Sequence, residues 1–137
     1  SSADDITGLA SAEVYNPTSK MWMRVANMSA PRIGLGVATL GSKLYAAYGW
    51  NPAAGAHALG TLEAYDPKTD EWATLASLAF PRDHGAICSS DGRLFVMGGC
   101  NAWDPTDQYC TNLTASVEAY VPAADRWYFT QPMPTPR

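Results

Sequence analysis

Three glutamates, Glu13, Glu63 and Glu118, and three arginines, Arg32, Arg82 and Arg137, are the first residues of this chain to invite a chemical reading. Carboxylates gathered in one pocket could serve as general acid and base, and each arginine offers a planar fork for a carboxylate or phosphate. Their spacing argues for something else. In each set the first interval is 50 residues and the second 55, and the same two intervals relate Tyr15, Tyr65 and Tyr120, Pro17, Pro67 and Pro122, Trp22, Trp72 and Trp127, and Pro31, Pro81 and Pro136. A residue that recurs once per copied unit belongs to the construction of that unit. The glutamates are therefore expected to hold a repeated hydrogen bond or ion pair, to backbone or to the arginine, and not to form one catalytic centre.

The remaining reactive side chains are few. His57 and His84 are the two histidines, one in a loop and one beside a strand start, without the paired spacing of a metal site. Cys88 and Ser89 stand near His84 in sequence, but no third group activates them, and His84 reads as a surface hydrogen-bonding residue. The stretch Asn101 to Asp107 is rich in acidic and amide side chains, yet it lacks the central Gly and closing Glu of a calcium loop. No metal, no cofactor and no catalytic residue is expected.

Composition narrows the partners. The 137 residues are 47% hydrophobic and 16% charged, the balance of a globular chain. The net charge of −4 arises from 13 acidic and 9 basic side chains scattered singly, with no basic run to follow a phosphate backbone, so nucleic acid is not an expected partner. Nowhere is there an apolar stretch of about 18 residues, which argues against a membrane partner. Ser1-Ser2-Ala3-Asp4-Asp5 lacks the pattern of a signal peptide, and the expected setting is cytoplasmic, or extracellular if a parent chain supplies a leader. Cys100 and Cys110 bracket one loop and could pair, although free cysteines are the favoured reading for an intracellular chain. Asn27-Met28-Ser29 and Asn112-Leu113-Thr114 fit the glycosylation acceptor pattern, which matters only in a secreted protein.

The elements that carry these residues read as strands. Gly36 to Leu40 and Leu44 to Gly49 are short β-rich runs meeting at Gly41-Ser42; Ile87 to Ser90 and Leu94 to Met97 meet at Asp91-Gly92, a dipeptide suited to a type I′ turn. Thr61 to Tyr65 alternates as a third strand, Asp66 to Asp70 turns the chain, and Trp72 to Leu75 makes a fourth. One unit is a four-stranded antiparallel meander, and prolines and glycines interrupt every stretch long enough for an amphipathic helix.

A four-stranded unit of about 50 residues, with Gly98-Gly99 closing its second strand, Tyr-x-Pro between strands three and four, Trp seven residues after that Tyr and Pro-Arg nine residues after the Trp, resembles the kelch repeat. The resemblance runs from residue 11 to 137. It implies an all-β fold of propeller blades: an extension at 1–10, the outer half of a first blade at 11–32, a second blade at 33–82, and a third blade with the start of the next at 83–137. An incomplete ring of about two and a half blades follows, completed by further blades of a parent chain or of other copies. Trp22, Trp72 and Trp127, with Tyr15, Tyr65 and Tyr120, would fill the gaps between blades. Tyr48-Gly49 departs from the double glycine, which implies a looser backbone approach there.

Arg32 to Val37 with Leu44-Tyr45-Ala46 is also similar to the BTB-kelch adaptors that bring substrates to ubiquitin ligases. By that resemblance a protein or peptide ligand would bind Ile33, Asp83 and His84 after the arginines, Trp50, Asn51, Cys100 and Asn101 after the glycines, and Trp103, Asp104, Asp107, Gln108 and Tyr109 in the loops 50–60 and 100–113. Trp50 and Trp103 lie outside the repeating set and read equally as binding anchors or as caps of the blade edge. Neither loop contains Lys or Arg, so a neutral or basic ligand is expected over an acidic one. The resemblance leaves two other classes, a structural or cytoskeletal scaffold and a fragment of a propeller enzyme of the sugar mutarotase or copper radical oxidase type.

Overall fold

Short apolar runs punctuated by Gly and Pro cannot sustain a helix, and here they form strands. The computed structural model describes residues 7–51, 53, 56–103 and 110–137, with backbone alone at 56 and 57, and places ten strands in three antiparallel sheets. β1 (Ala12–Asn16) and β2 (Met21–Val25) form a two-stranded sheet. β3 (Gly36–Leu40), β4 (Lys43–Asn51), β5 (Ala56–Asp66) and β6 (Glu71–Leu75) form a four-stranded meander. β7 (Ala86–Ser90), β8 (Arg93–Met97), β9 (Val117–Val121) and β10 (Arg126–Phe129) repeat it. A 3-10 turn at Pro122–Ala124 lies between β9 and β10.

Register makes the repeat physical. Tyr15 faces Trp22 across β1 and β2, Tyr65 faces Trp72 across β5 and β6, and Tyr120 faces Trp127 across β9 and β10. The ring centroids of these pairs lie 5.3, 5.2 and 5.1 Å apart. The hairpin at Asp91-Gly92 has φ of 48° and 72°, the double positive φ of a type I′ turn. At the equivalent turn Gly41 alone is positive, at 62°, the pattern of type II′.

The first departure from the sequence reading concerns residues 50–60, expected as a loop. β4 runs on to Asn51 and β5 starts at Ala56, so Trp50 and Asn51 lie within a strand. Register shifts flank Gly49, where φ of 122° bends the strand and lets its ladder continue past the bulge. Backbone pairing with β4 thus overrides the weak strand preference of Ala56-His57-Ala58.

The core lies between the two complete blades. Tyr45, Ala47 and Tyr48 of β4, Leu62 and Ala64 of β5, Leu94 and Val96 of β8 and Tyr120 of β9 are buried together with Leu78. Tyr45 and Tyr120 meet across the seam with ring centroids 6.3 Å apart. Each such aromatic removes roughly 150–250 Å² from water.

Two polar devices stitch one unit to the next. Ala26, just after β2, donates its N–H to Asp70 Oδ1 at 2.8 Å and accepts from Trp72 Nε1 at 2.8 Å. Ala76, just after β6, donates to Asp125 Oδ1 at 2.9 Å and accepts from Trp127 Nε1 at 2.7 Å. The Tyr65 and Tyr120 hydroxyls donate to the same carboxylates at 2.9 and 2.8 Å. In the first unit the equivalent position is Lys20, which cannot accept an N–H, and Trp22 is 65% exposed among the described residues.

Tyr48 supplies the second correction. Gly49 N–H donates to Arg82 O at 2.9 Å, as Gly99 N–H donates to Arg137 O at 2.8 Å, so losing one glycine does not loosen the approach. Tyr48 instead adopts a left-handed φ of 46°, crosses over Gly36 and donates its hydroxyl to Gly85 O of the next blade at 2.7 Å. A Cβ on Gly36 would collide with the Tyr48 ring, which is why that strand position is glycine. Burial pushes the Tyr48 phenol up to about 12.

Candidate partner-binding face

Four of the recurring glutamates and arginines, Arg32, Glu63, Arg82 and Glu118, occupy the blade interior. Arg32 Nη2 is paired with Glu63 Oε1, both side chains buried, while Arg32 Nη1 donates to Tyr48 O at 3.2 Å. Arg82 repeats the pattern with Glu118 Oε1 at 2.5 Å, Gly98 O at 3.0 Å, Ser116 O at 3.3 Å and Ser116 Oγ at 2.9 Å. Each glutamate also caps backbone, Glu63 accepting from Ser29 N–H and Glu118 from Ala79 N–H, both at 2.8 Å. Burial pulls both guanidinium pKa values below the ordinary arginine value, and the facing glutamate opposes it. Glu13 is different: it is exposed and, among the described residues, reaches Arg24 at 3.9 Å.

Immediately after each arginine the chain turns onto one end of the blades. Ile33 and Trp50 exchange backbone hydrogen bonds of 2.8 and 2.7 Å, and Asp83 and Cys100 exchange two of 2.9 Å. The second strand of each blade is thereby tied to the start of the first, and the residues after arginine and after glycine are brought side by side. His84 N–H donates to Gly34 O at 3.0 Å and joins the two blades at this end. The His84 ring lies directly over Gly34, where a Cβ would come within 2.7 Å of its Cε1.

Acceptors without donors characterise this end. Asp83 is fully buried, and neither carboxylate oxygen has a hydrogen-bond partner. Its nearest ionisable neighbour is His84, with Nδ1 3.4 Å from Oδ1 and the imidazole 54% exposed. Asn51 and Asn101, exactly equivalent by the 50-residue interval, both keep a buried Oδ1 without a partner, and the Trp103 Nε1 is likewise buried and unpaired. Trp103 stacks against His84 with centroids 5.6 Å apart.

Of the twelve binding residues expected from sequence, Ile33, Trp50, Asn51, Asp83, His84, Cys100, Asn101 and Trp103 are placed at this end. Asp104, Asp107 and Tyr109, with Gln108, lie outside the described residues. Trp50 and Trp103 are half-buried and not free loop tips. Cys100 and Cys110, favoured as free thiols, are joined by a disulfide, with Cα atoms 5.8 Å apart. The bridges Cys100 to Leu113 and Trp103 to Cys110 bring the two ends of the loop into register, which is what sets the sulfurs together. Cys88 is a free, exposed thiol on β7. Among the described residues no three His, Cys, Asp or Glu converge as metal ligands, and no helix is long and apolar enough to cross a membrane.

Sequence reasoning passed over three residues that matter to this architecture. Asp70 and Asp125 obey the 55-residue interval, but Lys20 breaks the threefold set and hid them. Tyr48 breaks the double glycine, and the motif gives no sign of the hydroxyl bond it makes to Gly85 O.

The known proteins agree with this geometry. The solved structure of YjhT superposes with a TM-score of 0.70 at 14% identity, covering 95% of this chain and 53% of that one, so the chain spans about half the length of that relative. No curated protein matches it. The kelch motif matches residues 31–79 and 81–134, a pair of segments that coincides with the two complete blades. The chain belongs to the kelch motif family, as an all-β segment of propeller blades.

Proposed function

We propose that this chain is a protein-interaction segment whose ligand seats on the blade end formed by Ile33, Trp50, Asn51, Asp83, His84, Asn101 and Trp103, and that it favours a neutral or basic peptide. The observation that carries this reading is the buried Asp83 carboxylate with neither oxygen hydrogen-bonded, on the same blade end as two buried asparagine carbonyls without hydrogen-bond partners. Buried acceptors cost free energy until a donor arrives, and a lysine, arginine or amide group supplies one. Arg32 and Arg82 are consumed by Glu63 and Glu118, which leaves them no free fork for an acidic peptide. A binding role is proposed in preference to an enzymatic one because, among the described residues, the reactive groups at this end are the Asp83–His84 pair.

A peptide array probed with the intact protein tests the reading. Enrichment of Lys- and Arg-containing peptides, lost on Asp83→Asn and weakened by salt, is the expected result. Preference for acidic peptides, or binding untouched by Asp83→Asn, overturns it. Recruitment of substrates to a ubiquitin ligase is a narrower form of the same proposal, supported by the Arg32 to Ala46 resemblance, and it requires a BTB segment in the same polypeptide.

A further inference from the structure

The disulfide and the acceptor triplet beside it were separate curiosities in the sequence. In the fold they meet. Cys110 is bonded to Cys100, and Asn112 begins the triplet Asn112-Leu113-Thr114 two residues further on. Asn112 is exposed and tied to the blade through its backbone, its carbonyl accepting from Asn101 N–H at 3.1 Å. Leu113 is 49% exposed and bridges Cys100, and Thr114 N–H donates to Gly99 O at 3.0 Å. The exposure of Asn112 leaves room for a bulky group on the solvent side. Structural disulfides persist in oxidising compartments, the same compartments in which asparagine in this triplet is glycosylated.

We propose that Asn112 carries an N-linked glycan and that the chain works in an oxidising, secretory compartment. Asn112 Nδ2 forms the new bond to C1 of the first sugar of a lipid-diphosphate-linked oligosaccharide. The bond from C1 to the diphosphate oxygen breaks, the lipid diphosphate leaves, and the amide proton passes to a base of the transferase. Closing the Cys100–Cys110 bond removes two electrons and two protons, which pass to a disulfide oxidoreductase of that compartment. The glycan then borders Asn101 on the proposed binding face, so the partner is an extracellular or luminal protein. This departs from the cytoplasmic setting expected from sequence and from an intracellular adaptor role.

Protein recovered from its own cells provides the test. Amidase treatment in heavy-oxygen water should tag Asn112 as heavy aspartate. A non-reduced peptide map should yield the linked Cys100–Cys110 peptide, with Cys88 the one cysteine alkylated before reduction. Asn112 found wholly unmodified, or Cys100 and Cys110 alkylated without reductant, overturns the proposal. In a secretory expression host, Asn112→Gln and Thr114→Ala should each lose one amidase-sensitive shift and Thr114→Ser should keep it. Thr114→Ser preserves the hydroxyl that accepts from Ser116 N–H at 3.0 Å, so it separates loss of the acceptor from loss of the fold. A shift lost only in Asn27→Gln also overturns the assignment.

Discussion

Replacing Glu118 with Ala removes the only carboxylate that faces Arg82 among the described residues, and the Arg82 side chain is 0% exposed. Four contacts would remain to that guanidinium, from Phe80 O, Gly98 O, Ser116 O and Ser116 Oγ, all neutral. Stranding a buried charge in this way costs about 3–5 kcal/mol, to which the N–H groups of Ala79 and Phe80 add by losing their acceptor. At a urea slope of roughly 2 kcal/mol/M the unfolding midpoint falls by about 2 M. Glu13, at the equivalent repeat position, has a side chain 52% exposed and an arginine partner 3.9 Å away, so Glu13→Ala costs about 0–1 kcal/mol. Urea unfolding of the two variants, read at unchanged slope, measures the contrast. If stranded charge is the cause, adding Arg82→Met to Glu118→Leu recovers stability relative to Glu118→Leu alone. Equal losses from Glu13→Ala and Glu118→Ala would refute the reasoning, as would a double variant no better than the single.

Three further outcomes follow from the seam. Tyr48→Phe should cost about 1 kcal/mol through the bond to Gly85 O, measured by thermal unfolding, and Tyr48→Gly should cost more despite relieving the left-handed φ, because the buried ring is lost. The raised Tyr48 pKa sets an alkaline limit: its contribution is complete below the unfolded tyrosine value of about 10 and is lost as pH climbs toward about 12, so absorbance titration should report late phenol ionisation coincident with unfolding. Asp70 and Asp125 are held below the ordinary carboxylate range, first by the N–H groups of Ala26 and Ala76 and then by Tyr65 and Tyr120; their contribution is present above about pH 4 and fades as pH falls through the lowered values. Asp70→Asn with Asp125→Asn should therefore lower stability at pH 6 and flatten the acid limb of a midpoint-against-pH curve.

Much of the scaffold was legible because its causes are local. Gly-rich dipeptides fix hairpins, and a Tyr and Trp that must face each other across two strands leave a constant interval in sequence. Glu63 and Glu118 are readable as structural by recurrence alone, whereas Glu13 recurs in type but not in environment, being exposed and 3.9 Å from Arg24. The latch of Asp70 and Asp125 was hidden because Lys20 interrupts the set, and periodicity records identity and not the hydrogen bond behind it. The disulfide depends on the distance between two backbone segments, which a spacing of ten residues does not determine. The extra length of β4 and β5 is a pairing effect, invisible in residues as indifferent as alanine and glycine.

The same contrast explains why the proposed binding residues lie where they do. At this end of the blades the scaffold is held by backbone bonds that read no side chain: Ile33 to Trp50 in one blade and Asp83 to Cys100 in the next, all between 2.7 and 2.9 Å. Geometry is therefore preserved while the side chains at matching positions change from Ile33 to Asp83, from Gly34 to His84 and from Trp50 to Cys100. Only the asparagine stays, as Asn51 and Asn101, and in both copies its Oδ1 is buried without a partner. In the blade interior the reverse holds, because Arg82 and Glu118 are themselves the bonding groups and neither can change without stranding the other. Variation is thus physically permitted where main chain does the holding, and it is there that the proposed ligand would meet a carboxylate, an imidazole and an indole on an otherwise repeated frame.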